Sequence, residues 1–559
     1  MSINSKPHPD SRPFIDYFYK WEHEKADQVY LRQPLGDTYI DYTWQEVGRQ
    51  ARSMAAYLRS LNLPRQSPIG LVSKNCPHWL IADIAILISG HISVPFYPTL
   101  TADQLHSVLE HSQCTVLFVG KVDNWSSMQT GVPTNVLCIA FPENQPDAKL
   151  RPWDDILTTY TPMIDSPKPK LDDLFTIVYT SGTTGTPKGV MLDYRAAAQV
   201  AEWARAKTFQ DLVGARFFSY LPLCHVAERN IVEAIGLITG GTIYFVESLA
   251  TFSKNLAAAR PTHFLAVPRI WTKFQQGILA NMPQARLDRL LRIPIVSSLV
   301  KRKIRQRLGL NDTVMILTGA APTPIPLIRW FRRLGICIQE NYGMTENLGA
   351  VSMMPADQIK DGTVGRVNDG MNVRIDPDTG EILTQAAWNM RGYYRDPELT
   401  AKTLTADNWL HTGDLGELDS EGYLRITGRL NDLYKSAKGE FISPAKLEFG
   451  FSENQLVDQI CVLGPQLPQP IALLVLSEIG QKTHPGEVAT SLTDTLTAFN
   501  NQLQAYERIK KVILVKDTWS VDNNLMTPTL KIKRKEIEKR YLSTINAWYD
   551  QDDVVVWEA

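Results

Sequence analysis

The segment whose residue types and spacing most directly suggest chemistry is Tyr179-Thr-Ser-Gly-Thr-Thr-Gly-Thr-Pro-Lys-Gly189, directly behind an apolar run. Its glycines let backbone approach an anion closely, and its threonines and Ser181 add hydroxyl donors to the backbone N–H groups. Lys188 contributes positive charge. A Gly/Thr-rich surface turn would share this composition, but the density of donors at the end of a buried-type strand favours an anion site. The loop is not a Walker A motif, because Lys188 is followed by Gly189 rather than Ser or Thr. A generic P-loop NTPase is therefore disfavoured.

Elements able to hold such a loop surround it. Val/Ile/Phe-rich strands are expected at 69–73, 115–119, 135–140, 176–179, 217–221, 242–246, 262–267 and 314–317, several without alternation, as in sheets covered on both faces. Helical patterns lie between them. Thr43 opens one helix with Glu46 at a capping-box spacing, and Val47, Met54, Ala55 and Leu58 recur on one face. After Met371 the texture changes to hairpins: 373–376 and 381–384 pair around Pro-Asp-Thr-Gly, with another strand at 423–427. The last 130 or so residues resemble a compact α+β unit with strands near 459–463, 471–476 and 511–515. Its final helix stripes Ile537, Tyr541, Ile545 and Trp548 along one face, which must dock.

The whole-chain quantities set limits. The 559 residues suggest three or four domain-sized cores. A 44% hydrophobic, 21% charged composition excludes wholesale disorder. Fifty-eight Lys+Arg against 59 Asp+Glu give no overall footprint for nucleic-acid binding, though an average does not exclude a local patch. Cys76, Cys114, Cys138, Cys224, Cys337 and Cys461 lack CxxC spacing and read as reduced, mostly core residues. The first residues have no apolar signal-peptide region. The most apolar stretch, 79–97, is broken by Asp83, Ser89, Gly90, His91 and Pro95, against a membrane span. No basic amphipathic anchor stands out. An intracellular, cytoplasmic protein is expected, with peripheral contact at the inner membrane face and a homodimer left open.

The glycine-rich segment resembles the phosphate loop of the adenylate-forming enzymes, a superfamily of acyl-CoA synthetases, peptide-synthetase adenylation domains and firefly luciferase. Further motifs of that family follow in order: Leu221-Pro-Leu-Cys-His-Val-Ala-Glu-Arg229, Gly319-Ala-Ala-Pro322, Tyr342-Gly-Met-Thr-Glu346, Gly362-Thr-Val-Gly-Arg366, Trp409-Leu-His-Thr-Gly-Asp414, Gly428-Arg429 and Leu530-Lys531. The form of the 221–229 segment, with Val267-Pro-Arg-Ile-Trp271, is most similar to long-chain fatty acyl-CoA synthetases. The resemblance implies an α/β fold: a large N-terminal AMP-binding domain of stacked α/β subdomains plus a β-barrel-like part over 1–430, and a small mobile α+β C-terminal domain over 431–559. It implies an ATP-dependent ligase that activates a medium- to long-chain fatty acid as acyl-adenylate and transfers it to CoA.

Chemistry explains why the family needs these residues. A fatty carboxylate is already ionised near neutral pH, so no general base is required. The obstacle is bringing it against nucleotide phosphates: two charges about 4 Å apart repel by roughly 4 kcal/mol at an effective dielectric of about 20. Catalysis is then positioning plus positive charge. By resemblance, Thr180 and Glu346 hold Mg²⁺, a hard ion that takes oxygen ligands. Thr180, Ser181, Gly182, Thr183, Thr184, Gly185 and Lys188 surround the phosphates. Gly319, Ala320, Ala321, Glu340, Asn341 and Tyr342 frame adenine, with Thr345 beside them, and Asp414 accepts from the ribose hydroxyls. Arg429 and Lys435 approach the nucleotide. Lys531 bridges carboxylate and α-phosphate, His225 and Gly343 border the acid, and Asn431 is the hinge about which the C-terminal domain rotates. Trp203, Val232, Ile235 and Pro268 are expected pocket neighbours.

Several positions depart from the family pattern. Asp193-Tyr194 stands where Thr-His is common, Glu340-Asn341 where Gln-Gly is frequent, Ala386 where glycine is usual, and Asn431 where Asp or Lys is common. A Glu340 carboxylate near phosphates would be unhelpful unless it points away or meets a cation. Two other readings stay open: an acyl-adenylating enzyme serving a carrier protein or another acceptor, and a catalytically silent nucleotide- or lipid-binding relative.

Overall fold

The computed structural model describes residues 12–143, 149–180, 187–207, 214–435, 440–451, 454–465, 467–520, 523–527 and 531–558. Two large twisted sheets form most of the molecule. In the first, six strands run parallel in the spatial order Gln339–Tyr342, Met315–Thr318, His263–Ala266, Arg216–Ser219, Thr242–Phe245, Val29–Leu35. Thr38–Thr43 closes one edge antiparallel, and Ser352–Met353 with Arg366–Val367 close the other. The second sheet has a parallel set centred on Pro68–Val72 and Ile92–Phe96. It ends in the antiparallel pair Leu174–Thr180 and Lys188–Asp193, extended by Gly392–Tyr393.

The expected strands are present, with no end moved by more than two residues. Pattern reading missed Val29–Leu35, Thr38–Thr43 and Lys188–Asp193, in which polar or charged residues interrupt or flank the short apolar stretches. The apolar stretch at 79–97 becomes a helix and a strand. Pro77–Ser89 is buried along its whole length, stops at Gly90 (φ +86°), and leads into the fully buried Ile92–Phe96. Its surroundings explain the composition: one core holds Leu31, Phe217 and Ile243 of the first sheet together with Leu71 and Phe118 of the second, and the helix lies among them. Among the described residues no helix is long and apolar enough to cross a membrane.

The Thr43 cap forms only half of the expected box. Thr43 Oγ1 accepts from the Glu46 N–H at 3.1 Å, but Glu46 Oε1 accepts from Arg49 and Gln50 instead of reaching back. The hairpin pairs Met371–Ile375 with Glu381–Ala386, and Leu410–Leu418 and Leu424–Arg429 complete a four-stranded antiparallel sheet. The C-terminal unit has its own sheet, in the order Val457–Leu463, Ile471–Leu476, Lys511–Leu514, Val555–Trp557. Helix Arg534–Tyr549 buries its stripe of Ile537, Tyr541, Ile545 and Trp548 against this sheet and Trp519. Five of the six cysteines are buried, Cys337 is half-exposed, and none of the six is in a disulfide.

Candidate active site

A cavity of about 2450 Å³ opens between the two large sheets, the antiparallel sheet and the C-terminal unit. It is bordered by Thr180, Lys188, His225, Gly319, Ala320, Ala321, Glu340, Asn341, Tyr342, Gly343, Thr345, Glu346, Asp414, Arg429, Asn431 and Lys531. Residues spread over 350 positions thus meet around one space, larger than the few hundred to 1,000 or so Å³ of a site for one drug-sized ligand. Ser181, Gly182, Thr183, Thr184 and Gly185 lie outside the described residues. Lys435 does not border the cavity; it lies on Tyr434–Lys435 with its ammonium 5.0 Å from the centre of the Phe441 ring.

Strand ends supply most of the polar wall. Thr180 ends its strand opposite Lys188, which opens the next, so these two residues stand at the two ends of the glycine-rich segment. Asp414 and Arg429 are cross-strand partners, and Arg429 Nε donates to Asp414 Oδ1 at 3.0 Å. The Tyr342 hydroxyl donates to Asp414 Oδ2 at 2.8 Å. Gly343 follows at a backbone crossing: a Cβ there would lie 2.2 Å from the Gly349 carbonyl carbon, so only glycine fits. Ala320 holds φ +66°, a left-handed conformation that a non-glycine residue keeps only when its surroundings impose it. Asn341 Nδ2 donates to the Ser352 carbonyl at 3.1 Å.

Glu346 sits buried in the single turn Thr345–Asn347. The Tyr393 hydroxyl donates to its Oε1 at 2.7 Å, and the Met390 N–H donates to its backbone carbonyl. Burial raises its carboxyl above the usual range and Asp414 adds to the rise, while the Tyr393 bond and Lys188 oppose it. The Glu346 carboxylate and the Thr180 hydroxyl border the same cavity and are oxygen-only donors. That suits magnesium, which is usually held by one or two carboxylates together with substrate phosphates rather than by a full protein cage. Among the described residues no cluster of three or more His, Cys, Asp or Glu offers such a cage.

Lys531 enters from the C-terminal unit. Its backbone is anchored by two bonds with Thr527, whose N–H donates to the Lys531 carbonyl at 2.8 Å and whose Oγ1 accepts from the Lys531 N–H at 3.1 Å. Burial and the Arg429 cation hold its ammonium below the ordinary lysine range, against the pull of Asp414 and Glu346. His225 feels the same cation: burial, then Lys531, lowers its imidazole to about 4, so it is neutral at pH 7. Its Nδ1 accepts from the Ala227 N–H at 3.2 Å, which leaves the proton on Nε2.

The segment bearing His225 is fixed by groups that sequence reading did not single out for this purpose. Glu228 Oε1 accepts from the Tyr220 N–H at 2.9 Å; burial pushes its carboxyl up to about 8. Arg229, fully enclosed, donates to Asp83 at 2.7 Å, Glu233 at 2.8 Å and Thr176 at 2.7 Å. The chain then makes a π-helical turn, Arg229–Ala234, of the kind that often occurs at functional sites. Beyond it the cavity wall becomes apolar: Phe175, Ala197, Ala201, Trp203, Ile235 and Ile238 border it. Trp203, Ile235 and Pro268 are thus where expected, whereas Val232 is not. The π turn directs it into the hydrophobic core, 3% exposed.

The departures from the family pattern also have physical accounts. Asp193 Oδ1 caps helix Tyr194–Lys207 by accepting from the Ala196 N–H at 2.8 Å, and Arg391 approaches Oδ2 at 3.3 Å. Tyr194 is buried against Phe14 and Phe175. Neither residue borders the cavity. Glu340 does, but burial, reinforced by Asp361, raises its carboxyl to about 8, so near neutral pH it is mostly uncharged.

Comparison with known proteins agrees with this arrangement. The family model described as AMP-binding enzyme matches residues 18–394, and that of the AMP-binding enzyme C-terminal domain matches 431–553. The chain belongs to the AMP-binding enzyme family. Among curated proteins, this AMP-binding enzyme is 29% identical to the long-chain-fatty-acid–CoA ligase FadD15 of Mycobacterium tuberculosis, covering 95% of this chain and 96% of that one. It is 28% identical to the peroxisomal long chain acyl-CoA synthetase 6 of Arabidopsis thaliana, covering 97% and 87%. Its fold is similar to that of the carboxylate reductase adenylation domain from Mycobacterium chelonae, with a TM-score of 0.80, 22% identity, and 97% and 92% of the chains covered. The anthranilate CoA ligase AuaEII, solved with anthranoyl-AMP, gives a TM-score of 0.78 at 18% identity, covering 96% and 99%.

Proposed function

We propose that this enzyme is an ATP-dependent, AMP-forming ligase that joins a medium- to long-chain fatty acid to CoA through an acyl-adenylate. The observation that carries this reading is the continuity of one cavity from the polar groups at Asp414, Glu346 and Lys531, past a neutral His225, to an apolar wall at Ala197, Ala201 and Ile238. A chain with an ionised head and a hydrocarbon tail matches such a gradient. The names of the curated relatives support the same substrate class.

In this reading Asp414 accepts from the ribose, the Tyr342 ring lies against adenine and its hydroxyl orients Asp414. Lys188 and the glycine-rich turn receive the phosphates. Glu346 and Thr180 hold a magnesium ion, which when bound offsets phosphate charge. Lys531 lies between the acid carboxylate and the α-phosphate, so that a carboxylate oxygen attacks phosphorus and pyrophosphate leaves. No proton moves in that step, in keeping with a His225 that is neutral and carries its proton on Nε2. The second step needs the thiol of CoA where Lys531 stood. We assign the required rotation to Asn431, in the exposed turn Leu430–Asp432 between the 1–430 and 431–559 units, with Lys435 and the following residues then facing the thioester site. CoA sulfur, as the thiolate after its proton passes to solvent, attacks the acyl carbonyl, the carbonyl carbon–oxygen bond to the phosphate breaks, and AMP departs with that electron pair.

The test is incubation with palmitate, ATP, Mg²⁺ and CoA, with palmitoyl-CoA and AMP read by mass spectrometry, followed by a chain-length series. Acid-dependent AMP formation without acyl-CoA would redirect the reading to a carrier-protein acceptor. That alternative has one supporting observation: fold similarity at TM-score 0.80 and 22% identity to the carboxylic acid reductase didomain of Segniliparus rugosus, which joins an adenylation domain to a PCP. No acid-dependent release of pyrophosphate would leave only the silent-relative reading.

A further inference from the structure

Helices Pro268–Asn281, Gln284–Leu291 and Pro294–Arg307 form a helical unit on the first sheet's side of the molecule, one part of which walls the cavity through Ile270, Phe274 and Leu279. Its last helix is amphipathic in an unusual sense. Ser297 and Ile304 face inward, while Ile295, Leu299 and Arg302 follow one another along the opposite, outer face. Ile295 is 79% exposed, Leu299 62%, and Ile293 just before the helix 49%. Exposed aliphatic side chains in a row are costly to leave in water, at roughly 25 cal/mol per Å² of apolar surface.

The charges around this ridge are of one sign. Residues 284–307 contain eight Lys or Arg (Arg286, Arg289, Arg292, Lys301, Arg302, Lys303, Arg305 and Arg307) against the single acid Asp288, in a chain whose net charge is −1. Asp288 is engaged by Arg333 and Gln284. Among the described residues none of the eight cations reaches a carboxylate at ion-pair distance. Aliphatic tips beside unpaired cations match an anionic bilayer, whose acyl region takes the former and whose headgroups take the latter. A protein interface core would be depleted of charge and enriched in aromatic residues, and a single-stranded nucleic acid would need aromatic platforms. No Phe, Tyr or Trp occurs within 284–307.

We propose that helix Pro294–Arg307, with Ile293 ahead of it, is a docking surface for anionic lipid membranes. The proposal departs from the sequence reading that no basic amphipathic anchor stands out, because the outward placement of Ile295 and Leu299 is a property of the fold. Docking there holds the cavity wall formed by Pro268–Asn281 near the lipid, where an acid that partitions into bilayers is concentrated. The surface stands or falls on vesicle binding alone, whatever acid the enzyme uses.

The experiment is flotation of the full-length protein with vesicles of phosphatidylglycerol and phosphatidylcholine in equal parts, or of phosphatidylcholine alone. Binding is expected on the anionic vesicles at least about tenfold above the neutral ones, and lost at high salt. Arg302→Glu with Lys303→Glu should weaken it about 10²–10³-fold, the scale of several cations near a charged surface. Ile295→Asn with Leu299→Asn should weaken it by about 10²-fold. Lys482→Glu, on an exposed site of the C-terminal unit, should leave it unchanged. A fully exposed site should tolerate these changes, and an unaltered melting temperature checks that each variant folds; Arg302→Gln with Lys303→Gln replaces the reversal if it does not. Wild-type protein that stays with the soluble fraction, variants that float like wild type, or binding to RNA without binding to vesicles would each overturn the proposal.

Discussion

Replacing Lys531 by alanine and by arginine separates its charge from its position. In the proposed step a carboxylate and a phosphate oxygen must come within about 4 Å, where they repel by about 4 kcal/mol at an effective dielectric of about 20. A cation shared between them cancels most of that, and at 1.36 kcal/mol per decade it is worth about three decades of rate. Removing a single preorganised electrostatic donor in enzymes typically costs about 10²–10³. Lys531→Ala should therefore reduce acid-dependent pyrophosphate exchange by about 10²–10³, while chemically supplied acyl-adenylate is still converted to acyl-CoA at a rate within roughly threefold of wild type. The pH dependence adds a second constraint. Burial and Arg429 depress the Lys531 ammonium, and the proposed step uses the charged form. Exchange is then fully present below the depressed value and lost as pH rises through it, so the alkaline decline begins below the ordinary 10.5. Lys531→Arg keeps its charge throughout, so its activity, though lower because a planar fork replaces a point charge, should not show that decline. Exchange unchanged in the alanine variant, or the same alkaline limb in the arginine variant, would refute the assignment.

Ala197, Ala201 and Ala204 line one face of helix Tyr194–Lys207 along the apolar wall, so Ala201→Phe should shorten the preferred acid in a chain-length series while leaving exchange with the shortest accepted acid within about threefold. Arg229→Met strands the buried carboxylates of Asp83 and Glu233 and should destabilise the fold by about 3–5 kcal/mol, seen as a lower melting temperature; no change would mean that the cluster is dispensable. Arg269 on Pro268–Asn281 meets Asp458 of the C-terminal unit at 3.2 Å. As a partly exposed pair it is worth under about 1 kcal/mol. Arg269→Glu should slow exchange about two- to fivefold by unseating Lys531 without lowering the melting temperature, and an unchanged exchange rate would show that the pair does not hold the unit in place.

The parts of this molecule legible in the sequence were those whose physics is local or whose motifs are contiguous. Apolar β-branched runs marked the central strands because both faces are covered, and the stripe at Ile537, Tyr541, Ile545 and Trp548 marked a docking helix. Strands Val29–Leu35 and Thr38–Thr43 escaped because they close a sheet edge and keep polar residues. The cavity could be anticipated from motifs, but not the partners that set its electrostatics. Tyr393 lies 47 residues from Glu346, and Asp83 lies 146 from Arg229. Each is an ordinary tyrosine or aspartate in its own segment, and the exposure of Ile295 is likewise a property of how three helices stack.

Glu340 shows why charge cannot be assigned from the sequence alone. In the proposed reaction, a carboxylate facing phosphates would add to the repulsion assigned to Lys531 to offset. The same burial that brings Glu340 to the cavity removes it from water, and Asp361 adds a second negative charge nearby, so the proton stays on up to about 8. A protonated carboxyl is a hydrogen-bond donor as well as an acceptor, and beside Asn341 it can face a purine edge without electrostatic cost. His225 is neutralised in the opposite direction by the same cause, which keeps a second cation from competing with Lys531. The cavity's low dielectric thus decides which of its titratable groups keep a charge. Burial and Arg429 lower the Lys531 ammonium while Asp414 and Glu346 pull the other way, and in the proposed reaction this is the cation that stands between the two anions.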